Sequence, residues 1–312
     1  MAKDEPYVVV HGGVHKTASS AVQAVLKRNQ GKLLKQDVRY IHHRKARLEY
    51  TNPVQLNGYL RLGLDFKPNI TDEQLKDMVA AFWAQVEAQP GERVILSDEN
   101  MPGHSGHCVR RGRLYWRRTT LIPAFADNIP YPVREVHIAL RNYADFFAST
   151  YVEFLRSATG ERLFHENQMK RNVLSEMESW TKFLEEVQEA YPQARLHVWR
   201  FEDFKPLFPR IVEGISGNVV PHADMAVPKR KRGRPSASHK AVQVMLEEIE
   251  RFGGDHALAR RVEIQEEYPR GPKYPGYDPW SQAERDHLTR LYDRDVAEIR
   301  RRLDVTYLEP DA

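Results

Sequence analysis

One cysteine, Cys108, is all the chain has among its 312 residues. A lone thiol cannot close an internal disulfide or build a thiolate metal site, which excludes disulfide scaffolds and zinc ribbons. Long apolar runs are missing too. The mean hydropathy is -0.63, and no stretch approaches the roughly 20 apolar residues that span a bilayer. At the N-terminus, MAKDEPYVVV places only a short apolar run behind acidic residues. A secretory signal needs a basic start and a longer apolar stretch, so the expectation is a cytoplasmic protein that does not insert into membranes. Charge of one sign is barely in excess, at a formal +4, which supports bulk nucleic-acid binding only weakly. No internal repeat is visible. His42, His43, His107 and His137 lack ligand-like spacing and read as structural.

What is present alternates. Tyr7 to Val10 is a β-branched and aromatic run of the kind buried on both faces of a parallel sheet. Similar runs recur at Val94 to Leu96, Val133 to Leu140 and Arg195 to Trp199. Helical amphipathic patterns lie between them, at about Ala18 to Arg28, Asp72 to Gln89, Tyr143 to Arg156 and Asn167 to Ala190. Strands alternating with helices imply an α/β three-layer sandwich around a central parallel sheet. After Phe204 the texture changes. Pro206 to Pro235 is rich in Pro, Gly and basic residues and reads as a loop or flap. Helices follow at Lys240 to Phe252 and Gln282 to Leu303, separated by the Tyr-, Pro- and Gly-rich stretch Tyr268 to Trp280. The organisation is one domain over 1–312, with a core at about 5–205 and a basic flap with C-terminal helices at about 206–312.

The most informative stretch is HGGVHKTASS, His11 to Ser20. It occupies a strand-to-helix turn, where free backbone N–H groups and the helix dipole favour an anion. Lys16 supplies a mobile positive charge, and Thr17, Ser19 and Ser20 supply hydroxyl donors. The nucleoside-triphosphate pattern G-x-x-x-x-G-K-[ST] is not met, because His15 stands where the last glycine belongs. The second stretch is VHIALR, a strand ending in Arg141, with Ser149 eight positions later on the following helix. Arg141 leaves the carboxyl end of its strand, where ligands of open α/β sheets gather. A guanidinium fork with a hydroxyl about two turns along is a sensible clamp for a second phosphate.

HGGVHKTASS and the Arg141/Ser149 pair together resemble the sulfotransferase family, whose P-loop-like fold binds 3′-phosphoadenosine 5′-phosphosulfate (PAPS). By that resemblance His15, Lys16, Thr17, Ala18, Ser19 and Ser20 hold the 5′-phosphosulfate, and Arg141 and Ser149 hold the 3′-phosphate. Two departures stand out: Ala18 replaces the usual glycine of the loop, and Tyr143 stands where the family often has proline. The first is small if Ala18 is helical and damaging if the position needs a left-handed backbone. Val198 to Phe204 is similar to the family's strand ending in an aromatic-Glu-Asp-hydrophobic sequence, with a structural role.

Sulfuryl transfer needs in-line positioning, a cation on the leaving phosphate and a base for the acceptor. The resemblance implies metal-free transfer to a hydroxyl or amine of a small molecule, glycan or lipid. Lys16 is the leaving-group cation. The base is expected in LSDENMPGH, Leu96 to His104, with Glu99 first and His104 second; Asp98 and Glu99 also suit capping or pairing. Lys229 to Pro235 carries five charges in seven residues. The family's basic loop over the cofactor makes Arg232 and Arg234 candidate phosphate contacts. Arg-Gly-Arg-Pro also matches a minor-groove DNA hook, and a solvated loop is the third reading. A nucleotide kinase, a DNA-binding protein and a non-catalytic nucleotide binder are the alternative functions.

Overall fold

Tyr7–His11 (β1) becomes a central strand because its side chains serve two cores at once. Val8 and Val10 enter one apolar cluster, and Val9, fully buried between them, pairs in register with Ile95 of the other. The computed structural model describes residues 5–12, 14–64, 66–157, 165–228 and 236–311. Around β1 lie Val38–Ile41 (β2), Arg93–Ser97 (β3), Val133–Leu140 (β4), Arg195–Arg200 (β5) and Val305–Tyr307 (β6). All pair in parallel, in the order β2-β3-β1-β4-β5-β6. Period-two alternation continues outward: Val94, Leu96, Ile138 and Leu140 join the first cluster, and Ile95, Ala139 and Trp199 the second. The architecture is the α/β sandwich expected from the alternating pattern.

Helix placement makes the crevice. The helix Ser19–Arg28, which follows β1, packs with Phe204–Ile215 on one face. The helices that follow β3 and β4, including Ser105–Arg111 and Tyr143–Ser157, bury their apolar residues in the cluster on the other face. Neighbouring connections therefore diverge at the carboxyl end of β1, the place where open α/β sheets bind ligands.

Several expectations are corrected. The sheet gains β2 and β6 at its edges, both short and interrupted by polar residues. Pro206 to Pro235 is not uniformly a loop, since Phe204–Ile215 is a helix. Pro206 falls in the first turn, where no intrahelical donor is required. Leu207, Ile211, Val212 and Ile215 bury a continuous stripe that outweighs the ladder bond lost at Pro209. Asn167 to Ala190 divides into Glu166–Glu176 and Trp180–Ala190, the second capped by Ser179 accepting from the Lys182 N–H. A further helix, Gly254–Glu267, precedes the Tyr- and Pro-rich stretch. The C-terminal helices are present as expected, and the long one, Gln282–Arg302, is bound into the core. Its buried Asp295 accepts from the Tyr143 hydroxyl and from the Trp180 N–H, beside buried Leu288, Tyr292 and Ile299. No helix of the described residues is long and apolar enough to cross a membrane.

Beneath the sheet, Arg93 binds both oxygens of Glu135 at 2.8 and 2.6 Å, and Glu135 also meets His137 at 3.0 Å. The His137 and His197 rings stack with centroids 4.4 Å apart. Burial opposes ionisation of Glu135, but His137 and Arg93 together hold it well below the usual carboxylate range. With both its oxygens on a guanidinium, the cluster is a structural network.

Candidate functional site

After β1 the chain passes close to the segment that follows β3. A Cβ at Gly12 would lie 2.8 Å from Cε and Sδ of Met101, so a larger residue there would push the end of that side chain aside. Lys16 and Ala18 both have left-handed backbones, with φ of 66° and 64°. Thr17 between them is not left-handed, so two left-handed residues flank it at the entry to the helix. The Ala18 position therefore does require the left-handed conformation. For alanine that costs about 1 kcal/mol, which glycine would avoid at some expense in unfolded-chain entropy. Ala18→Gly is expected to raise stability by about 0.5 kcal/mol in denaturant titration without altering ligand affinity. A loss beyond about 1 kcal/mol would show instead that the methyl's packing in the second core cluster dominates.

Other side chains fix the loop. Thr17 is buried, and its hydroxyl donates to the Val14 carbonyl at 2.6 Å. This hydroxyl closes the turn, and Thr17 is not among the residues lining the cleft described below. Both ring nitrogens of His15 are engaged, Nδ1 with the Tyr115 hydroxyl at 2.9 Å and Nε2 with Asn100 Oδ1 at 3.0 Å. Burial lowers its pKa to about 4, so neutral His15 acts as a peg between the phosphate-type loop and the loops after β3.

A cleft of about 1220 Å³ opens at this edge of the sheet. Of the residues expected from the sequence, it brings together His15, Lys16, Ala18, Ser19, Ser20, Glu99, His104, Arg141 and Ser149. Arg232 and Arg234 lie outside the described residues. Ser236, the first described residue after them, lines the cleft. The Lys16 ammonium pairs with Glu153 at 3.1 Å. Arg141 donates from Nη1 to the Lys16 carbonyl at 2.5 Å, and its guanidinium lies 4.7 Å from the centre of the Phe201 ring. Asp145 does not hold Arg141, because its ion pair is with Arg285 at 3.0 Å. Arg141 Nε and Ser19 Oγ are buried without a hydrogen-bond partner. Two orphaned donors flanking one cleft, on the helix after β1 and at the end of β4, suit a ligand with separated anionic groups.

The two base candidates have different environments. Arg47 pairs with Asp98 at 2.7 Å and with Glu99 at 2.8 Å. Gln23 donates to Glu99 from the other side at 3.1 Å. Burial would raise the Glu99 pKa, but Arg47 and neighbouring His15 outweigh it and bring it to about 2. The raised pKa that a carboxylate base requires is absent, and pairing prevails at Asp98 and Glu99. His104 is exposed on the cleft wall, with its pKa lowered by desolvation despite the pull of Asp98. It is neutral near pH 7 and able to accept a proton.

Sequence reasoning missed much of the wall. Arg47, Arg110, Arg111, Trp116, Arg117, Phe201 and Arg270 all line the cleft. Arg270 comes from the stretch Tyr268 to Trp280, which otherwise packs: buried Trp280 donates to the Ala144 carbonyl at 2.9 Å. Single arginines carry no sequence signal of their own. The two adjacent ones at Arg110 and Arg111, following His104 and His107, were the available hint. With Lys16 and Arg141, the cationic lining far exceeds Glu99 and Glu153.

No protein-family model matches the chain, and no curated protein does. Among solved structures, a sulfotransferase from Alicyclobacillus acidocaldarius is similar over 84% of this chain and 94% of that one, with 14% identity and a TM-score of 0.39. A likeness this loose says nothing about chemistry.

Proposed function

We propose that the protein transfers a sulfuryl group from PAPS to a hydroxyl or amine acceptor. One observation carries the reading: the loop after β1 and the Arg141/Ser149 pair, far apart in sequence, line a single cationic cleft. A smaller recess of about 240 Å³ is shared by Lys16, Arg141, Ser149, Ser236 and Arg270. It gives the donor's two anionic ends separate holders. Lys16, Ser19, Ser20 and the loop N–H groups would hold the 5′ end, and Arg141, Ser149 and Arg270 the 3′-phosphate.

When bound, PAPS supplies the sulfuryl group. The acceptor oxygen bonds to sulfur as the bond from sulfur to the 5′-phosphate oxygen breaks, and the bisphosphate carries away that electron pair. Lys16 stabilises charge growing on that oxygen. His104 takes the acceptor's proton and later releases it to water. Glu99 keeps Arg47 in place and is not the base.

The test is calorimetric titration with 3′-phosphoadenosine 5′-phosphate beside ATP with magnesium. Micromolar binding of the bisphosphate is expected, weakened about 100-fold in Arg141→Ala through loss of a charge-assisted contact. Binding of ATP alone would replace this reading with the kinase one.

A further inference from the structure

The far wall of the cleft carries a second cationic group that the donor reading leaves unused. Arg111 and Arg117 lie on the segment after β3, with Trp116 between them in sequence. The Arg117 guanidinium sits 4.4 Å from the centre of the Trp116 ring, and that of Arg111 5.2 Å from it. Tyr59 and Phe66 add further faces at 5.3 and 5.7 Å from Arg117. Aromatic rings orient a guanidinium but do not neutralise it. Among the described residues no carboxylate pairs with either arginine, and Nε and Nη1 of Arg117 are buried without a hydrogen-bond partner.

A half-buried guanidinium with orphaned donors, facing a cleft of about 1220 Å³, is costly unless an oxyanion completes it. The donor's phosphates are not that oxyanion. The smaller recess that shares Lys16, Arg141, Ser149 and Arg270 with the cleft excludes Arg111, Trp116 and Arg117. His104 stands on the same wall, at the head of the helix Ser105–Arg111 that delivers Arg111. Its ring lies edge-on to His107 at 6.0 Å, and Tyr59 is edge-on to His107 at 5.7 Å. The proton acceptor and the two guanidinium groups therefore belong to one packed aromatic wall.

We propose that Arg111 and Arg117, held by Trp116, form an acceptor subsite for a hydroxyl compound that already carries a sulfate or carboxylate group. This rests on the sulfuryl-transfer reading and narrows its substrate to acidic acceptors. Uncharged alcohols and phenols leave both arginines uncompensated and are disfavoured.

The experiment uses the full chain saturated with 3′-phosphoadenosine 5′-phosphate. A sulfated oligosaccharide, a uronic-acid oligosaccharide and a neutral glucan of equal length are titrated separately. At least one acidic probe is expected to bind about tenfold or more tighter than the neutral one, and which of the two does so separates sulfate from carboxylate recognition. Arg111→Gln, on the exposed end of its helix, and Arg117→Gln should each erode that preference while bisphosphate affinity stays within about twofold. Equal or absent binding of both acidic probes, or a preference that survives both substitutions, overturns the subsite. A bisphosphate affinity that falls with either substitution also overturns it, since the arginines would then serve the donor. Failure of wild-type protein to bind the bisphosphate at all is a different outcome and sinks the donor reading itself.

Discussion

Lys16→Ala is expected to cut turnover by about 10²- to 10³-fold while leaving bisphosphate affinity within about fivefold. The asymmetry follows from where Lys16 sits. Its ammonium is paired with Glu153 at 3.1 Å, so ground-state binding of an anion would only exchange one anionic partner for another. Charge on the leaving oxygen is small in the bound donor and grows as the sulfur bond breaks, so the ammonium contributes chiefly there. Lys16→Arg should restore little, because a planar fork on a left-handed residue cannot follow the path of a point charge. Glu153→Gln gives the complementary sign: removing a carboxylate from an anion site should tighten bisphosphate binding several-fold. Bisphosphate release from PAPS, with a mixed acceptor panel, provides the rate, and calorimetry the affinity. If Lys16→Ala lost binding and rate in equal proportion, the residue would be a uniform anchor and its leaving-group role would fall. Wild-type protein that binds the bisphosphate but never releases it from PAPS would be a non-catalytic binder.

The second large effect concerns stability. His11 and His137 are each 2% exposed, and burial lowers their pKa values to about 4 and about 3. Unfolded histidine titrates near 6.5. Between these limits the unfolded chain binds protons that the folded chain refuses, so stability is full above about pH 6.5 and declines as the pH falls toward the folded values. At pH 5 each residue contributes a loss of about 2 kcal/mol, and a chain of this size should lose roughly 6–10 °C in thermal midpoint. Below about pH 4.5 the depressed carboxylates, Glu99 and Glu135, add a second loss in the same direction. Thermal melts from pH 8 to pH 4 check this. A midpoint that stays level between pH 7.5 and pH 5 would mean that one or both imidazoles protonate freely in place. His11→Asn, which keeps a polar partner for Ser97 Oγ at the 2.9 Å contact, should flatten part of the slope.

Some of this protein was legible from residue order alone. The doubly buried strands could be read because parallel central strands need continuous β-branched runs. The loop from His11 to Ser20 could be read because a strand, glycines, a lysine and hydroxyl residues lie within one turn of each other. Arg141 and Ser149 were legible for the same reason, as a strand end and a helix face are set by local geometry. The edge strands Val38–Ile41 and Val305–Tyr307 were not, because pairing along one side leaves short, polar sequences without a periodic signal.

Only the tertiary structure decided what those groups do together. Ala18 is left-handed in a loop whose His15 is held by Tyr115 and Asn100, partners that lie far along the chain. Glu99 was the first choice as base from its place at a strand end, and Arg47, from another helical segment, pairs with it there and helps hold its pKa to about 2. His104 lines the cleft, and its pKa is lowered by desolvation that no local pattern encodes. The guanidinium wall of Arg111 and Arg117 exists only once Trp116, Tyr59 and Phe66 meet around it. Local order fixes backbone shape through short-range sterics and hydrogen bonds. Protonation state and charge compensation depend on burial and on partners distant in sequence, and only packing supplies them.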